Sequence, residues 1–599
     1  MTEKKIYHKK KAFFIMLCFA GLLFFLMGRI VYLMVFRGEY YSKRATELHQ
    51  RERKIKAARG VIYDRNGVKL AANRQVCTVS VIHSQITDEE KVIDALVEKL
   101  GISQEEIRKK VEKVSSREII KSNIDKELGD EIRLLHLDGV KVDEDYKRYY
   151  PYEELLSKVM GFCGSDNQGI LGLEVQYEKV LTGTAGKILT LTDYKGIEIE
   201  NAAEEREEPI PGDDLYLTVD VNMQKYAAQA AQKVLRQKEA KGVSVILMNP
   251  QDGELYAMVD LPEYNLNDPF TLISTATEKE KEKKQEDDTE KVKETAADSH
   301  QDALNAMWRN SCVNDTYEPG STFKIVTACA GLSEGVVSQS DTFQCPGFRT
   351  VEDRKIRCHK VGGHGTENFK EGIMNSCNPV FMDVGARLGK ENTYKYWRML
   401  GLFEKTGIDV PGEANSIMHN LEDIKAVELA TMSFGQSFQI TPLQLLRAAS
   451  AVVNGGRLVT PHFAMKKRDA KTGKESTFSW EEKDSGISAE VSVQMKELLE
   501  AVVSEGTGKN AAIEGYRIGG KTATSQKLPR SERKYISSFL GFAPADNPIV
   551  MGIILINEPQ GSYYGGTIAA PVMKEIFENV LPYLGISESY VEQSVKKQP

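Results

Sequence analysis

The stretch YEPGSTFKIVTACAGLSEG, residues 317–335, decides how the rest of this sequence is interpreted. Its Pro-Gly pair ends an extended segment, and the apolar residues that follow predict a helix beginning near Ser321. Ser321 and Lys324 are three residues apart and share one face of that helix, with Cβ atoms about 5–6 Å apart. Because a helix that is apolar on most sides is buried, we expect Lys324 to be desolvated and its pKa to be lowered.

A neutral lysine beside a serine hydroxyl is a general base beside its nucleophile. The positive end of the helix dipole would also lie near any oxyanion that develops there. Taken alone, the spacing Ser-x-x-Lys occurs by chance in many sequences. The alternative interpretation is a capping Ser321 with a solvent-facing Lys324, so the case for an enzyme depends on other segments.

Two further segments carry suitable side chains. In MNSCNPVF, residues 374–381, Ser376 can relay a proton and the Asn378 amide can bind a peptide group. In GGKTATSQ, residues 519–526, a lysine and hydroxyls on a strand edge can hold a carboxylate, while the backbone can pair with a peptide as an added strand. The residues concerned are Lys521, Thr522 and Thr524. The alternatives are a polar turn before Pro379 and an edge strand with a protective lysine.

Apolar runs after residue 218 predict a mixed α+β domain. A helix over VDVNMQKYAAQAAQKVLRQ is followed by two strands joined by a turn at 249–253. GGKTATSQ, KYISSFLGFA and IVMGIILIN supply three more strands, and the short connections predict a mostly antiparallel five-stranded sheet. A terminal helix from about Ala569 to Leu584 would cover one face, and helices between Ser321 and Val453 would cover the other and fill a lobe.

The N-terminal sequence predicts a membrane anchor. The run AFFIMLCFAGLLFFLMGRIVYLMVF, residues 12–36, can span a bilayer core of about 30 Å at about 1.5 Å per residue, with Arg29 near one interface. Lysines at positions 4, 5, 9, 10 and 11 favour a cytoplasmic N-terminus. A cleaved signal peptide is the alternative, but its apolar region is usually about 7–15 residues and ends at a small-residue site that is missing directly after this run.

We therefore expect a multidomain α+β protein with a single transmembrane helix. The predicted parts are a cytoplasmic tail (1–11), the transmembrane helix (12–36), an elongated α+β pedestal (37–220), a C-terminal domain (221–585) and a tail (586–599). A charged insertion over 277–302 is either a solvated helix or, as we expect, a mobile loop. The net charge of −7 over 599 residues argues against nucleic-acid binding, and eight cysteines are too few for a disulfide scaffold.

In this order, the three polar segments resemble the S-x-x-K, S-x-N and K-T-G motifs of the penicillin-recognising serine acyltransferases. Flanking blocks narrow the resemblance to class B penicillin-binding proteins, and within them to the division and sporulation branch. These blocks are RGVIYDRNG, the Gly169–Glu174 run, LTVDVNMQ, FGQSFQITPLQL, NGGRLVTP and GTGKNA. The resemblance extends over about residues 20–583.

The resemblance implies a peptidoglycan D,D-transpeptidase that cross-links the cell wall, with a β-lactamase-like catalytic domain outside the bacterial cell membrane. Ser321 would attack the penultimate carbonyl of a D-Ala-D-Ala stem peptide and release D-Ala. Lys324 would take the serine proton, and Ser376 would pass a proton to the leaving amine. β-Lactams would acylate Ser321 as mimics of this substrate.

The resemblance also implies binding roles and partners. Asn378 would hold the substrate amide, Lys521 and Thr522 its terminal carboxylate, and the backbone N–H groups of Ser321 and Thr524 the oxyanion. The implied partners are stem peptides, a membrane-embedded glycan polymerase of the shape, elongation, division and sporulation type, and division or sporulation proteins. We expect no cofactor.

Two features stand apart from the family pattern. The third motif has Ala523 where glycine is usual, and a Cβ there can crowd the substrate, although the lysine, the hydroxyls and the backbone N–H groups remain and we expect activity. Four potential metal ligands also cluster between the first two motifs: Cys345, Cys358, His359 and His364. A zinc site, a disulfide and free thiols are the three alternatives for these residues. Because the cysteines lack C-x₂₋₄-C spacing, we expect free thiols and no metal.

Two rival classes of function remain. A D,D-carboxypeptidase or β-lactamase shares the fold but needs rapid attack of water on the acyl-enzyme, and it does not usually carry so long a pedestal. A non-enzymatic β-lactam sensor should have several membrane spans, and a division scaffold has no need of the intact serine and lysine. The sequence therefore favours the transpeptidase.

Overall fold

The structure is a computed structural model that describes residues 3–41, 43, 50–115, 117–191, 205–273 and 291–586. The helices in chain order are α1 Glu3–Phe36, α2 Glu89–Leu100, α3 Gln104–Val111, α4 Lys126–Leu134, α5 Ser157–Met160, α6 Gly172–Gln176, α7 Glu178–Leu181, α8 Val221–Gln237, α9 Lys291–Trp308, α10 Ser311–Asn314, α11 Lys324–Ser333, α12 Phe369–Met374, α13 Asn378–Met399, α14 Ala426–Met432, α15 Pro442–Val453, α16 Ala489–Ser504, α17 Gly565–Ile568 and α18 Ala570–Tyr583.

The strands in chain order are β1 Gln50–Ile55, β2 Ile62–Tyr63, β3 Lys69–Val81, β4 Glu118–Asp125, β5 Val140–Tyr149, β6 Gly186–Leu191, β7 Glu205–Glu207, β8 Asp214–Leu217, β9 Gly242–Met248, β10 Leu255–Leu261, β11 Thr342–Cys345, β12 Phe348–Val351, β13 Arg354–Arg357, β14 Gly365–Asn368, β15 Arg457–Val459, β16 Ala464–Arg468, β17 Glu475–Thr477, β18 Glu482–Asp484, β19 Gly519–Gln526, β20 Tyr535–Ala543 and β21 Val550–Asn557.

The chain divides into two compact units that interleave along the sequence. The first comprises Met1–Ala58, Arg74–Lys147 and Gly183–Pro211, and the second comprises Arg59–Asn73, Arg148–Thr182 and Gly212–Pro599. In the first unit, β1, β6 and β7 form an antiparallel sheet. Helices α2 and α3 bury their apolar faces in a small core with β3 and β4.

Helix α1 contains the predicted anchor. Within Lys9–Phe36, an 18-residue window has a mean hydropathy of 2.4, and the apolar side chains of this stretch are exposed. It is the one helix in the described ranges that is long and apolar enough to cross a membrane. The structure therefore supports a single-pass membrane anchor, in agreement with the sequence.

The second unit is built on a five-stranded antiparallel sheet in the order β10-β9-β21-β20-β19. Successive side chains of a strand point to opposite faces, and each of the two faces is covered by helices. Val243, Val245 and Leu247 pack with α8 and α18, while Ile246 and Met248 pack in the larger core that contains α11, α13 and α15. The predicted sheet and its two helical layers are confirmed, and β19 carries the third motif along the sheet edge.

A buried ion cluster holds the early segments of the second unit together. Glu174 is fully buried and accepts hydrogen bonds from Arg59 Nε and Arg148 Nε, each at 2.6 Å. Burial alone would raise the pKa of Glu174, but Arg148 and Arg59 hold it below its ordinary value. Removing one partner of such a cluster leaves a buried charge uncompensated, at a cost of about 3–5 kcal/mol, so these three residues fix this part of the chain.

The predicted charged insertion at 277–302 is described only from residue 291. There it forms the first part of α9, Lys291–Trp308, which is the helical alternative rather than the loop that we expected. Residues 274–290 lie outside the described residues, as do residues 587–599 of the predicted tail.

Candidate active site

The segment before Ser321 is fixed by backbone pairing with residues 435–440. Tyr317 and Ile440 exchange two backbone hydrogen bonds, at 3.0 and 3.1 Å, and Gly320 N–H donates to Gly435 O at 2.8 Å. A 3₁₀ turn over Gly320–Phe323 then leads directly into α11. The helix predicted to begin near Ser321 is confirmed, with the serine in its entry turn.

Gly320 and Gly435 allow this close approach. Gly320 has φ +58°, and a Cβ there would lie 2.3 Å from Ser525 Oγ. Gly435 has φ +87°, and its Cβ would lie 2.1 Å from Gly320 O. Positive φ and lack of space both exclude larger residues, so the glycines place Ser321 against β19.

Lys324 is buried, as the sequence predicted, with 1 % of its surface exposed. Burial lowers the pKa of its amine to about 8. Its Nζ donates to Ser376 O at 2.6 Å, to Asn378 Oδ1 at 2.8 Å and to Ser376 Oγ at 3.3 Å. The amine therefore connects the first motif to the second, and its hydrogen bonds go to Ser376 and Asn378 rather than to the Ser321 hydroxyl.

The second motif joins α12 to α13. Ser376 has φ +55°, a conformation that costs a non-glycine residue about 1–3 kcal/mol and that clusters at functional sites. Cys377 N–H donates to Gly372 O at 2.9 Å, and Asn378 begins α13. The Asn378 amide donates to Arg357 O at 3.1 Å while its oxygen accepts from Lys324. This network orients both polar side chains of the motif.

The third motif lies on β19, at the edge of the sheet. Thr522, Ala523 and Thr524 line a cleft, whereas Lys521 is fully buried. Burial and the nearby charge of Lys324 lower the pKa of Lys521 well below its ordinary value. Lys521 Nζ donates to Thr522 O at 3.3 Å, and an anion bound nearby would offset part of the cost of its buried positive charge.

All three motifs meet at this cleft, which has a volume of about 520 Å³. Its lining contains Ser321, Ser376, Asn378, Thr522 and Thr524, while the Lys324 amine lies beneath Ser376. The structure thus brings the predicted residues together, although they come from separated parts of the chain. Ala523 is 4 % exposed in a regular strand, so the departure from the family's glycine is accommodated.

Several further residues that were not predicted to be catalytic also line the cleft. Tyr535 and Tyr563 stack with their ring centroids 4.1 Å apart, forming an aromatic wall beside β19. Thr507 of the GTGKNA block accepts a hydrogen bond from Thr522 Oγ1 at 3.1 Å, and Gln436 also lines the cleft. The family blocks around Thr507 and Gln436 offered a signal for these two, but no local pattern marks the tyrosine pair.

The cysteines of the cluster are free thiols, as expected, but the cluster differs in membership from the one that the sequence suggested. No disulfide joins Cys345 and Cys358. The ligand atoms of Cys345, Cys358, His364 and Cys377 lie within 4.8 Å of one another. His359, which the sequence grouped with them, is exposed and lines the cleft, whereas Cys377 of the second motif takes its place in the cluster.

Comparison with known proteins identifies the family. Residues 243–578, more than half of the chain, match the family model described as the penicillin binding protein transpeptidase domain. This chain belongs to that family. Residues 54–217 of this penicillin-binding protein match a second model, the penicillin-binding protein dimerisation domain.

Individual relatives agree with this assignment. The chain is 38% identical to stage V sporulation protein D of Bacillus subtilis, over 98% of this chain and 88% of that protein. It is 27% identical to peptidoglycan D,D-transpeptidase FtsI of Escherichia coli, over 95% and 91% of the two chains. The crystal structure of penicillin binding protein 2X from Streptococcus thermophilus has the same fold, with a TM-score of 0.72 at 21% identity over 91% of this chain and 82% of that one. The resemblance drawn from the sequence to class B penicillin-binding proteins of the division and sporulation branch is confirmed.

Proposed function

We propose that this penicillin-binding protein is a peptidoglycan D,D-transpeptidase that uses Ser321 as nucleophile and is acylated there by β-lactams. The observation that carries this proposal is the convergence of three separated segments on one cleft, with the buried Lys324 amine beneath it. The relatives named peptidoglycan D,D-transpeptidases support the same reaction class.

In the first step, Ser321 Oγ attacks the penultimate carbonyl carbon of a D-Ala-D-Ala stem peptide, and its proton moves to neutral Lys324. Burial favours this neutral amine, because it lowers the pKa to about 8. The backbone N–H groups of Ser321 and Thr524 stabilise the oxyanion. The tetrahedral intermediate then collapses, the C–N bond breaks, and the proton returns through Ser376 to the departing D-Ala amine.

Substrate binding uses the remaining residues. Asn378 holds the stem-peptide amide, and Thr522 with Lys521 holds the terminal carboxylate, whose charge favours protonated Lys521. The open edge of β19 pairs with the peptide as an added strand. An amine from a neighbouring stem peptide then attacks the acyl-enzyme ester, forms the cross-link and releases Ser321.

The chain organisation that we propose follows the sequence prediction. Residues 12–36 anchor the protein, 37–220 form the pedestal and 221–585 the transpeptidase domain, a division supported by the two matched ranges. The N-terminal lysines favour a cytoplasmic N-terminus with the catalytic domain outside the cell. A membrane-embedded glycan polymerase is the partner implied by membership of the sporulation and division branch.

Labelling with a fluorescent penicillin tests the nucleophile. We expect covalent label on the full-length wild type and none on Ser321→Ala, because the variant lacks the attacking oxygen. Ser333→Ala is the matched control, since Ser333 ends the same helix outside the cleft and should label normally. An adduct on Ser321→Ala would show that another residue is the nucleophile.

The lifetime of the penicilloyl adduct tests the rival hydrolase function. A transpeptidase should release the adduct slowly, because its site is built to admit an amine rather than water. Release within seconds, together with accumulation of hydrolysed penicillin, would assign the protein to the β-lactamase class.

A further inference from the structure

The two walls of the active-site cleft continue past Ser321 and enclose a second, smaller pocket. One wall is β19, whose Thr522 and Thr524 line the cleft and whose last residue, Gln526, lines the smaller pocket. The other wall is the segment before Ser321, which pairs with residues 435–440. We call this space the side pocket. It has a volume of about 190 Å³ and is lined by residues 316–318 and 525–528 together with Gln439 and Ile536.

The direction of a bound stem peptide follows from the roles assigned to β19, so this step rests on the proposed function. Thr522 would hold the terminal carboxylate, and the Thr524 N–H would bind the oxyanion of the residue before it. The peptide therefore runs toward its N-terminus as β19 runs from Thr522 to Gln526, with one residue for every 3.3 Å or so of strand. The residue that precedes D-Ala-D-Ala would lie beside Ser525, where the side pocket begins.

An ion pair borders the side pocket at this point. Glu318 is buried and lines the pocket, and Arg530 Nη2 donates to its two carboxylate oxygens at 3.0 and 3.2 Å. Arg530 is also tied to the end of β19, because Gln526 Nε2 donates to Arg530 O at 2.7 Å and Arg530 Nη1 donates to Gln526 O at 3.3 Å. The Arg530 side chain is 40 % exposed, so its remaining donors are open to a ligand.

The other charges beside the side pocket are balanced as well. Lys527 lines the pocket, donates to Asn557 Oδ1 at 3.0 Å and pairs with Glu558. A ligand with only an ammonium or only a carboxylate would add an uncompensated charge to this partly buried place, which is unfavourable. A ligand that carries both charges would find an opposite charge for each.

Ser525 adds a polar group to the same wall. Its hydroxyl is buried, and Oγ has no hydrogen-bond partner among the described residues. Buried hydroxyls usually have a partner, and a polar ligand in the side pocket would supply one. The pocket thus has the lining of a binding site for a polar, charged group.

We propose that the side pocket binds the side chain of the residue that precedes D-Ala-D-Ala, and that this side chain ends in an α-amino acid group. Its ammonium contacts Glu318, and its carboxylate contacts Arg530. A diamino dicarboxylic acid has such a side chain, whereas lysine supplies the ammonium alone. Glu318 and Arg530 are then the residues that select among donor peptides.

Three synthetic donor peptides that differ only at this residue test the proposal. They carry meso-diaminopimelate, lysine or norleucine before D-Ala-D-Ala, so the side chain ends in an amino acid group, an ammonium or a methyl group. The full-length protein in detergent, with glycine as acceptor amine, should release D-Ala with a kcat/KM about tenfold higher for the diaminopimelate donor than for the lysine donor, because a partly exposed charge pair contributes modestly. Equal values for the three donors would overturn the inference.

Arg530→Gln tests the carboxylate contact. The variant should lose the preference for diaminopimelate over lysine and keep its rate of acylation by benzylpenicillin, whose side chain is uncharged. Arg533→Gln is the matched control, since Arg533 is an exposed arginine of the same loop, and this variant should keep the preference. An unchanged preference in Arg530→Gln, or an equal fall for all three donors, would show that Arg530 does not recognise the side chain.

A binding measurement does not depend on turnover. Calorimetric titration of Ser321→Ala with the three donors should give a Kd about tenfold lower for the diaminopimelate donor than for the lysine donor, again the effect of one partly exposed charge pair. Equal Kd values would refute the side pocket as the binding site. D-Ala release from none of the donors would count against the proposed function, while the order of the Kd values would still decide on the side pocket.

Discussion

The protonation state of Lys324 makes the strongest prediction of the proposed mechanism. The amine must be neutral to accept the Ser321 proton, and burial lowers its pKa to about 8. Raising the pH through 8 should therefore increase the rate of acylation. An exposed lysine, with a pKa of about 10.4, would give the same rise more than two pH units higher.

The size of the effect follows from this pKa. At pH 7 about one molecule in eleven carries the neutral amine, and at pH 9 about ten in eleven do. The acylation rate should therefore rise about tenfold between pH 7 and pH 9 and then level off. Lys324→Arg should lose acylation at every pH in this range, because an arginine stays protonated.

Single-turnover kinetics with a fluorescent penicillin, at constant ionic strength from pH 6.5 to 10, measures this profile. Circular dichroism at each pH shows that the fold is retained, and parallel incubation without protein corrects for penicillin hydrolysis. A flat profile, a midpoint near 10.4, or wild-type rates in Lys324→Arg would refute the role of Lys324 as the general base.

Two substitutions test the placement of the motifs. Gly320→Ala adds a Cβ 2.3 Å from Ser525 Oγ at φ +58°, whereas the control Gly335→Ala meets open space at φ +65°. Both substitutions cost about 1–2 kcal/mol for the left-handed conformation, but only Gly320→Ala should also lose penicillin labelling. Equal labelling of the two variants would contradict the close packing of Ser321 on β19. Ala523→Gly should acylate at a rate within about threefold of the wild-type rate. It should lower the free energy of unfolding by about 0.5–1 kcal/mol, the cost of glycine in a strand. A large gain in penicillin affinity would instead show that the Ala523 Cβ restricts the cleft.

The sequence by itself determined the local structure. The strands follow from short apolar runs bounded by turn residues, and the terminal helix follows from a hydrophobic period of about 3.6; both patterns depend only on neighbouring residues. The burial of Lys324 follows in the same way, because its own helix is apolar on most sides. The three motifs were then enough to indicate the family, because their residue types, in this order along the chain, are the family's motifs.

Only the tertiary structure decided which atoms meet. Lys324 contacts residues 52 and 54 positions away in the chain, and the tyrosine wall beside β19 joins strand and loop. Cys377, rather than His359, lies with Cys345, Cys358 and His364, because α12 and α13 pack against the β11–β14 region. Contacts of this kind depend on how distant elements pack, and a local sequence pattern does not encode that packing.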